Sequence, residues 1–413
     1  MRIAMITDYY LPTLGGVQTS VKAQKEALES KGHVVFIYCP LHDESLDETI
    51  IRVPTSKKFK PDNFPFAWSP RSVEAFLTQS LRALAIDVVH VQSEMVAAVC
   101  GVKVARKLGI PLVQSMHGRL DVYTHKVLPV PTLTTRIVTG FHKRYIPLEH
   151  SVVHAPYATK SSTQRIWKLM VSQANAAHQV IVPSQHFANK LKIQGVTKPV
   201  SVLSNGLENT VLRTAGTPAI RIYKKEEIFQ IMWCGRVSPE KRPLEFLEAI
   251  GKVDWPVQVN LYGDGMLLGK LKDYIRKHKL EDRVTLHGSV TQAKILEAMK
   301  RSHLFVSTSY DFDNQPMVFL ECIAAGTPLL FCDPDLAEIV PQSGYVCSPS
   351  PEIQDIAFAI ESIVNDPECI ELMSAQLLAY KQHVTQSKHT AALVHVYRAA
   401  IKTQSEQLAV QRS

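Results

Sequence analysis

Arg2-Ile-Ala-Met-Ile-Thr7 is an apolar run, Leu11-Pro-Thr-Leu-Gly15-Gly16 is a turn closed by two glycines, Val17 to Lys31 has helical character up to the stop at Gly32, and Val34-Val-Phe-Ile-Tyr-Cys39 is a second apolar run. Strand, turn, helix and strand in that order make a βαβ unit, and two strands joined through a helix lie parallel. The alternation continues through Ile86-Asp-Val-Val-His-Val91, a helix near Met95 to Lys107, Pro111-Leu-Val-Gln-Ser115, a helix through Lys168 to Ala177, and Val180-Ile-Val182. Short apolar strands flanked by helices predict a parallel sheet covered on both faces.

A second alternation begins at Ile228-Phe-Gln-Ile-Met-Trp-Cys234 and runs through Val257-Gln-Val-Asn-Leu-Tyr262, Val284-Thr-Leu286, Leu304-Phe-Val-Ser307 and Pro328-Leu-Leu-Phe331. The chain of 413 residues is too long for one ordinary core. The expected fold is therefore α/β, with two Rossmann-like domains facing each other across a cleft. The first domain spans 1–208, the polar and unpatterned stretch 209–225 reads as a linker, the second domain spans 226–385, and 386–413 forms a closing helix and tail. The helices after Asp355 are expected to return to the first domain. Ligands of such sheets lie beyond the carboxyl ends of the strands, so two facing sheets would share one site.

Charge is divided unevenly between the halves. Residues 1–205 carry 24 Lys and Arg against 13 Asp and Glu, a balance of +11, while the remaining 22 against 25 leave −3. A basic half suits an anionic membrane surface or phosphate as well as an ordinary solvated face. Nucleic acid is not an expected partner, because no aromatic and basic stripe or known module accompanies the charge. The seven cysteines form no CxxC pair and read as reduced core thiols. No metal is expected, since no histidine and acid cluster has ligand spacing. The absence of a leader pattern or a long apolar run predicts a cytoplasmic protein.

Two loops carry the candidate chemistry. Gly235-Arg236-Val-Ser-Pro-Glu-Lys241-Arg242-Pro243 follows a strand and precedes a helix. Two cations five residues apart at a strand end can grip a diphosphate and neutralise the charge it gains as a leaving group, although loop Arg and Lys are also common surface charges. Ser307-Thr-Ser309-Tyr-Asp-Phe-Asp313-Asn-Gln-Pro316-Met317-Val318-Phe-Leu-Glu321 places one carboxylate in a loop and another eight residues on, inside a helix that starts near Met317. The amides of that first turn suit an anion, and the carboxylates suit sugar or ribose hydroxyls. A turn residue at Asp313 and a helix-terminal charge at Glu321 are the alternatives.

With these loops quoted, the sequence resembles family 4 of the retaining glycosyltransferases, which have the two-domain GT-B architecture. Gly15-Gly16, Val182-Pro-Ser184, Ser204-Asn205-Gly206, Gly235-Arg236 with Lys241, Gly263-Asp-Gly265, His287-Gly288 and the acid pair Asp313 and Glu321 carry the resemblance in this order. It implies a catalytic group of His117, Asp313, Arg236 and Lys241. It implies a donor site of Gly15, Gly16, Arg236, Lys241, Asn205, Gly263, His287, Met317, Val318 and Glu321, and an acceptor side of Asp8, Arg119, Asp121 and Tyr123. The co-substrate is a UDP- or GDP-sugar, with no further cofactor. Two residues depart from the family pattern: the loop acid is Asp313 rather than Glu, and Pro316 stands where a glycine is usual. Proline offers no N–H at that point, so sugar recognition differs in detail.

The stretch from His117 through Tyr145 mixes basic with apolar and aromatic residues, as a peripheral membrane surface does; a buried helix with a charged outer face has the same composition. Asp87-Val-Val-His90-Val-Gln-Ser-Glu94 and Asp121-Val-Tyr-Thr-His125 look like bacterial enzymes that glycosylate diacylglycerol or phosphatidylinositol. The expected acceptor is a membrane lipid, with a soluble inositol phosphate or a polysaccharide precursor as alternatives. A nucleotide-sugar epimerase and a binding-only protein share the architecture.

Overall fold

The computed structural model describes residues 1–10, 15–40, 47–58, 65–126, 130–148, 152–340, 344–347 and 351–412. The turn expected at Leu11 to Leu14 lies outside the described residues. The chain forms two compact units, one of residues Met1–Gly206 with Gln386–Ser413 and the other of Leu207–Thr385.

The first unit runs β1 (Arg2–Ile6), α1 (Gly16–Glu29), β2 (Val34–Cys39), β3 (Ile50–Arg52), α2 (Pro70–Ala83), β4 (Val88–Val91), α3 (Val96–Leu108), β5 (Leu112–Ser115), α4 (Leu120–Lys126), α5 (Pro131–His142), α6 (Ser161–Asn175), β6 (Gln179–Val182), α7 (Gln185–Ile193) and β7 (Val200–Val202). Its sheet has the order β3-β2-β1-β4-β5-β6-β7, and every pairing is parallel. All of β4, β5 and β6 is buried, as a sheet covered by helices on both faces requires.

The second unit runs α8 (Asn209–Ala215), β8 (Phe229–Cys234), α9 (Pro243–Ile250), β9 (Val257–Tyr262), α10 (Leu268–Lys277), β10 (Val284–Gly288), α11 (Gln292–Arg301), β11 (Leu304–Ser307), α12 (Met317–Ala325), β12 (Leu329–Phe331), β13 (Gly344–Val346), α13 (Ile353–Asn365) and α14 (Pro367–Tyr380). Its strands lie in the order β10-β9-β8-β11-β12-β13, which repeats the doubly wound order of the first sheet. The presumed linker 209–225 opens instead with α8, whose Val211 and Ala215 enter a core cluster with Met232, Met299 and Phe319. Seven residues, of which Val211, Leu212 and Ala215 make the apolar contacts, are too few to announce a helical period.

The expected return to the first unit is made by α15 (Gln386–Arg412). Leu393, Val396, Tyr397 and Ala400 pack into one core with Ile3, Met5, Val88 and Val113. Helices α13 and α14 remain in the second unit, where Ile360 and Ile370 join Phe229 and Val259. Outgoing and returning chain run side by side: a Cβ on Gly206 would lie 2.5 Å from Gln386 Cα, and the Leu207 amide donates to Val384 at 2.8 Å.

In each sheet the strand order reverses beside the first strand, between β1 and β4 and between β8 and β11. Loops diverge there at the carboxyl ends of the strands, which is where such sheets hold ligands.

Candidate active site

In the second unit the reversal point lies between the loop after β8 and the loop after β11, the two that carry the candidate residues. Each is pinned. Trp233 Nε1 donates to Thr308 Oγ1 at 3.1 Å, and Thr308 Oγ1 donates to the Lys241 carbonyl at 2.8 Å. Lys241 closes a short 3-10 turn, Pro239–Lys241, and its Nζ lies 2.6 and 2.7 Å from the two Asp313 oxygens. The structure thus joins two candidates that are 72 residues apart in the chain. The ammonium also lies 5.1 Å from the centroid of the Phe312 ring. Arg236 is exposed on the same loop.

Gly263 has a backbone reason for its identity. Its φ is +134°, and a Cβ there would stand 1.9 Å from the Gly235 carbonyl oxygen. The Gly235 amide donates to Tyr262 at 3.1 Å, and the Gly263 amide to Gly288 at 2.9 Å. Only glycine permits this approach, and it sets the base of the Arg236 loop. His287 is exposed, with its ring stacked on Tyr262 at 4.3 Å and its Nε2 2.8 Å from Asn260 Oδ1.

α12 begins at Met317, with Pro316 as its cap. The Pro316 carbonyl accepts the Phe319 amide at 3.0 Å, so the Met317 and Val318 amides fall in the first turn, where helices leave donors unpaired. Glu321 is buried and accepts from Gln292 Nε2 at 2.7 Å. Gln292, the first residue of α11, has no motif to announce it. Burial pushes the Glu321 carboxyl up to about 7, with the Gln292 hydrogen bond opposing.

A raised carboxyl favours the protonated fold. Its contribution is full below the unfolded value of 4.5 and is lost as pH rises through about 7. Between pH 5 and pH 8, Glu321→Gln is therefore expected to remove a decline in unfolding free energy of up to about 3 kcal/mol. Urea unfolding at the two pH values measures it, and identical pH slopes for both proteins would refute the assignment.

In the first unit, His117 follows β5. Its Nε2 lies 2.7 Å from Gln92 Oε1; Gln92 Nε2 donates to Gln24 Oε1 at 2.9 Å, Gln24 to Ser20 Oγ at 3.0 Å, and Ser20 to Asn205 Oδ1 at 2.8 Å. One relay thus connects His117, α1 and Asn205, and neither Gln24 nor Gln92 was foreseen. Burial, helped by His389, pushes His117 down to about 4, so the ring is neutral at neutral pH and gives its Nε2 proton to the Gln92 amide oxygen. Gly15 caps α1, its carbonyl accepting the Thr19 amide at 3.1 Å, and Gly16 is the exposed first residue of the helix.

The expected acceptor side requires correction. Arg119 and Asp121 are 2% and 0% exposed and bind each other in a fork, Nε to Oδ1 and Nη2 to Oδ2, both at 2.9 Å. Trp167 Nε1 adds a bond to Asp121 Oδ2 at 3.0 Å, and the guanidinium lies 5.2 Å from the Tyr157 ring centroid. Both charges are consumed within the core, and neither faces solvent. Asp8 is likewise internal: it accepts the Ala97 amide at 2.7 Å, the Met95 amide at 3.1 Å and the Ser93 hydroxyl at 2.7 Å, capping α3. Burial raises its pKa against these bonds. Tyr123 is half-buried on α4. Glu94, for which no role was foreseen, is half-buried between β4 and α3, and burial with Asp8 nearby pushes it up to about 8.

Two doubly wound units, each with its strand order reversing beside its first strand, have the architecture of the GT-B class. The sequence profile of Glycosyltransferase Family 4 matches residues 14–210, and that of Glycosyl transferases group 1 matches residues 219–381. The chain belongs to the family 4 glycosyltransferases and is a hexosyltransferase. It is 25% identical over 350 residues to alpha-monoglucosyldiacylglycerol synthase of Streptococcus pneumoniae, covering 80% of this chain and 70% of that protein. With the enzyme of the same name from Acholeplasma laidlawii it shares 24% over 358 residues, 83% of each chain. The solved structure of HepE from Anabaena in complex with UDP superposes with a TM-score of 0.69 at 16% identity, over 97% of this chain and 100% of that one.

Proposed function

We propose that this hexosyltransferase takes its sugar from a nucleotide-diphosphate donor, with retention of configuration, and places it on a hydroxyl of a membrane lipid of the diacylglycerol or phosphatidylinositol kind. The observation that carries the donor half is the meeting of Lys241 and Asp313 at 2.6 Å, beside the start of α12, at the reversal point of the second sheet. Arg236 and Lys241 take the diphosphate and neutralise its growing charge. The Met317 and Val318 amides add positive potential, and Glu321 takes the ribose hydroxyls. A diphosphate replaces Asp313 at the ammonium and turns that carboxylate to the sugar. The C1–O bond to phosphate breaks, a C1–O bond to the acceptor forms on the same face, and the acceptor proton passes to the departing phosphate or to Asp313. HepE was solved with UDP, which supports a UDP-sugar; a GDP-sugar is the other candidate.

Both curated relatives named above are glucosyldiacylglycerol synthases, and α5 supports a lipid acceptor. Leu133 and Ile137, one turn apart, are 55% and 64% exposed, and Val130 just before the helix is 65% exposed, while Arg136 on the helix and Lys143 and Arg144 just after it are exposed. Exposed apolar side chains with exposed cations in the same segment suit docking on an anionic membrane. No helix among the described residues is long and apolar enough to cross one, so peripheral attachment to the inner face of the cell membrane is proposed. Leu133→Asp with Ile137→Asp is expected to weaken sedimentation with anionic vesicles by about tenfold or more, and added salt to weaken the wild type. Equal binding of both proteins would remove α5 from the reading.

The deciding experiment offers UDP-, GDP- and ADP-sugars to the purified protein, with and without a membrane-lipid extract, and follows nucleoside diphosphate release. Release that requires the extract supports the proposal and names the donor. Release that requires an inositol phosphate or a glycan instead removes the lipid acceptor, and sugar interconversion without any acceptor marks an epimerase.

A further inference from the structure

His389, on α15, is 6% exposed, and its Nδ1 lies 2.7 Å from the Ser204 carbonyl oxygen. A carbonyl only accepts, so Nδ1 carries the proton and Nε2 is left as a lone-pair acceptor. That Nε2 is buried and has no hydrogen-bond partner among the described residues. The side chain lines a cavity of about 10 Å³ together with Gln24, Ser115, His117 and Asn205. Burial holds the His389 ring below its ordinary value, with the bond to Ser204 opposing, so at neutral pH no proton sits on Nε2.

We propose that this cavity is a built site for a single water molecule, which donates to His389 Nε2 and hydrogen-bonds the His117 side of the cavity, making His389 a positioning residue for His117. The space admits a water molecule, and among the lining residues Gln24, Ser115, His117 and Asn205 carry polar groups beside His389, as a buried water needs. On one side His117 is held through Gln92, and on the other the water ties it to α15, so the neutral ring keeps one orientation. The functional half of this inference rests on the reading of His117 as a group beside the donor sugar; the water site does not.

The test compares two amide substitutions that differ in reach by one methylene. His389→Asn keeps an amide donor toward the Ser204 carbonyl but removes the distal acceptor, and His389→Gln restores an acceptor near the position of Nε2. His389→Asn is expected to keep its thermal midpoint, to lower kcat about ten- to hundredfold, and to leave donor KM within about twofold. His389→Gln is expected to recover most of the rate. A high-resolution crystal structure is expected to show one isolated density peak within hydrogen-bond distance of Nε2. Wild-type kcat in His389→Asn, or equal losses in both variants with a lowered midpoint, overturns the positioning role, and a dry cavity overturns the water site. If His117→Ala keeps full turnover, the reading of His117 fails while the density peak still stands.

Discussion

Lys241→Ala is expected to lower kcat by about two to three orders of magnitude, the range for losing one preorganised donor at a centre of developing charge. Arg236→Ala is expected to fall in the same range. In the proposed role the cation acts where the charge of the departing diphosphate grows, so the loss is expected in turnover more than in donor affinity. Lys241 has 21% of its side chain exposed and Asp313 13%, and the loop holds its shape through Thr308 and Trp233, so the fold tolerates the substitution. Lys241→Arg tests geometry separately from charge, because a planar fork does not reproduce a compact ammonium between two oxygens. Initial rates at saturating donor, with a circular dichroism melt as the control for folding, decide the matter. Unchanged turnover in both alanine variants would sink the donor site.

The largest effect on stability is expected at Asp121. Asp121→Ala strands the Arg119 guanidinium in the core and deprives Trp167 Nε1 of its acceptor, and removing one partner of such a buried pair costs about 3–5 kcal/mol. Burial of 99% and 100% for the two side chains leaves no route for water to substitute. The double change Arg119→Met with Asp121→Leu is expected to recover much of the loss, since no charge remains to be stranded. Urea unfolding of the three proteins tests this, and a wild-type midpoint for Asp121→Ala would show that the pair contributes nothing. A role in acceptor binding predicts the reverse pattern, normal stability with a raised acceptor KM.

The fold was legible where strands are central. β1, β4, β8 and β11 lie next to the reversal points and are nearly continuous apolar runs, because helices cover both faces. The edge strands β3, β7 and β13, of three residues each, are too short to show a period. Arg236, Lys241, Asp313 and Glu321 could be picked out because two cations at a strand end and two acids eight residues apart stand out in a sequence, whereas the pairing of Lys241 with Asp313 depends on two loops that only the fold brings together. Arg119 and Asp121 misled because spacing cannot tell whether two charges two residues apart face solvent or curl together beneath Trp167. Gln92, Gln24 and His389 were missed for a related reason: a polar side chain that serves another polar side chain needs only proximity, and elements far apart in the chain supply it.

The side-by-side passage at Gly206 and Gln386 makes the second unit an insertion, and this sets an order of manufacture. During synthesis Met1 to Gly206 emerge first, yet their sheet still lacks Leu393, Tyr397 and Ala400, and His90 waits for the Tyr397 hydroxyl that it meets at 2.8 Å. The inserted unit leaves the ribosome whole before that helix arrives, and domains fold as units once they are complete. The part of the protein that is made first is therefore the last to be finished, and a transcript cut short of codon 386 yields a complete second unit attached to an unclosed first one.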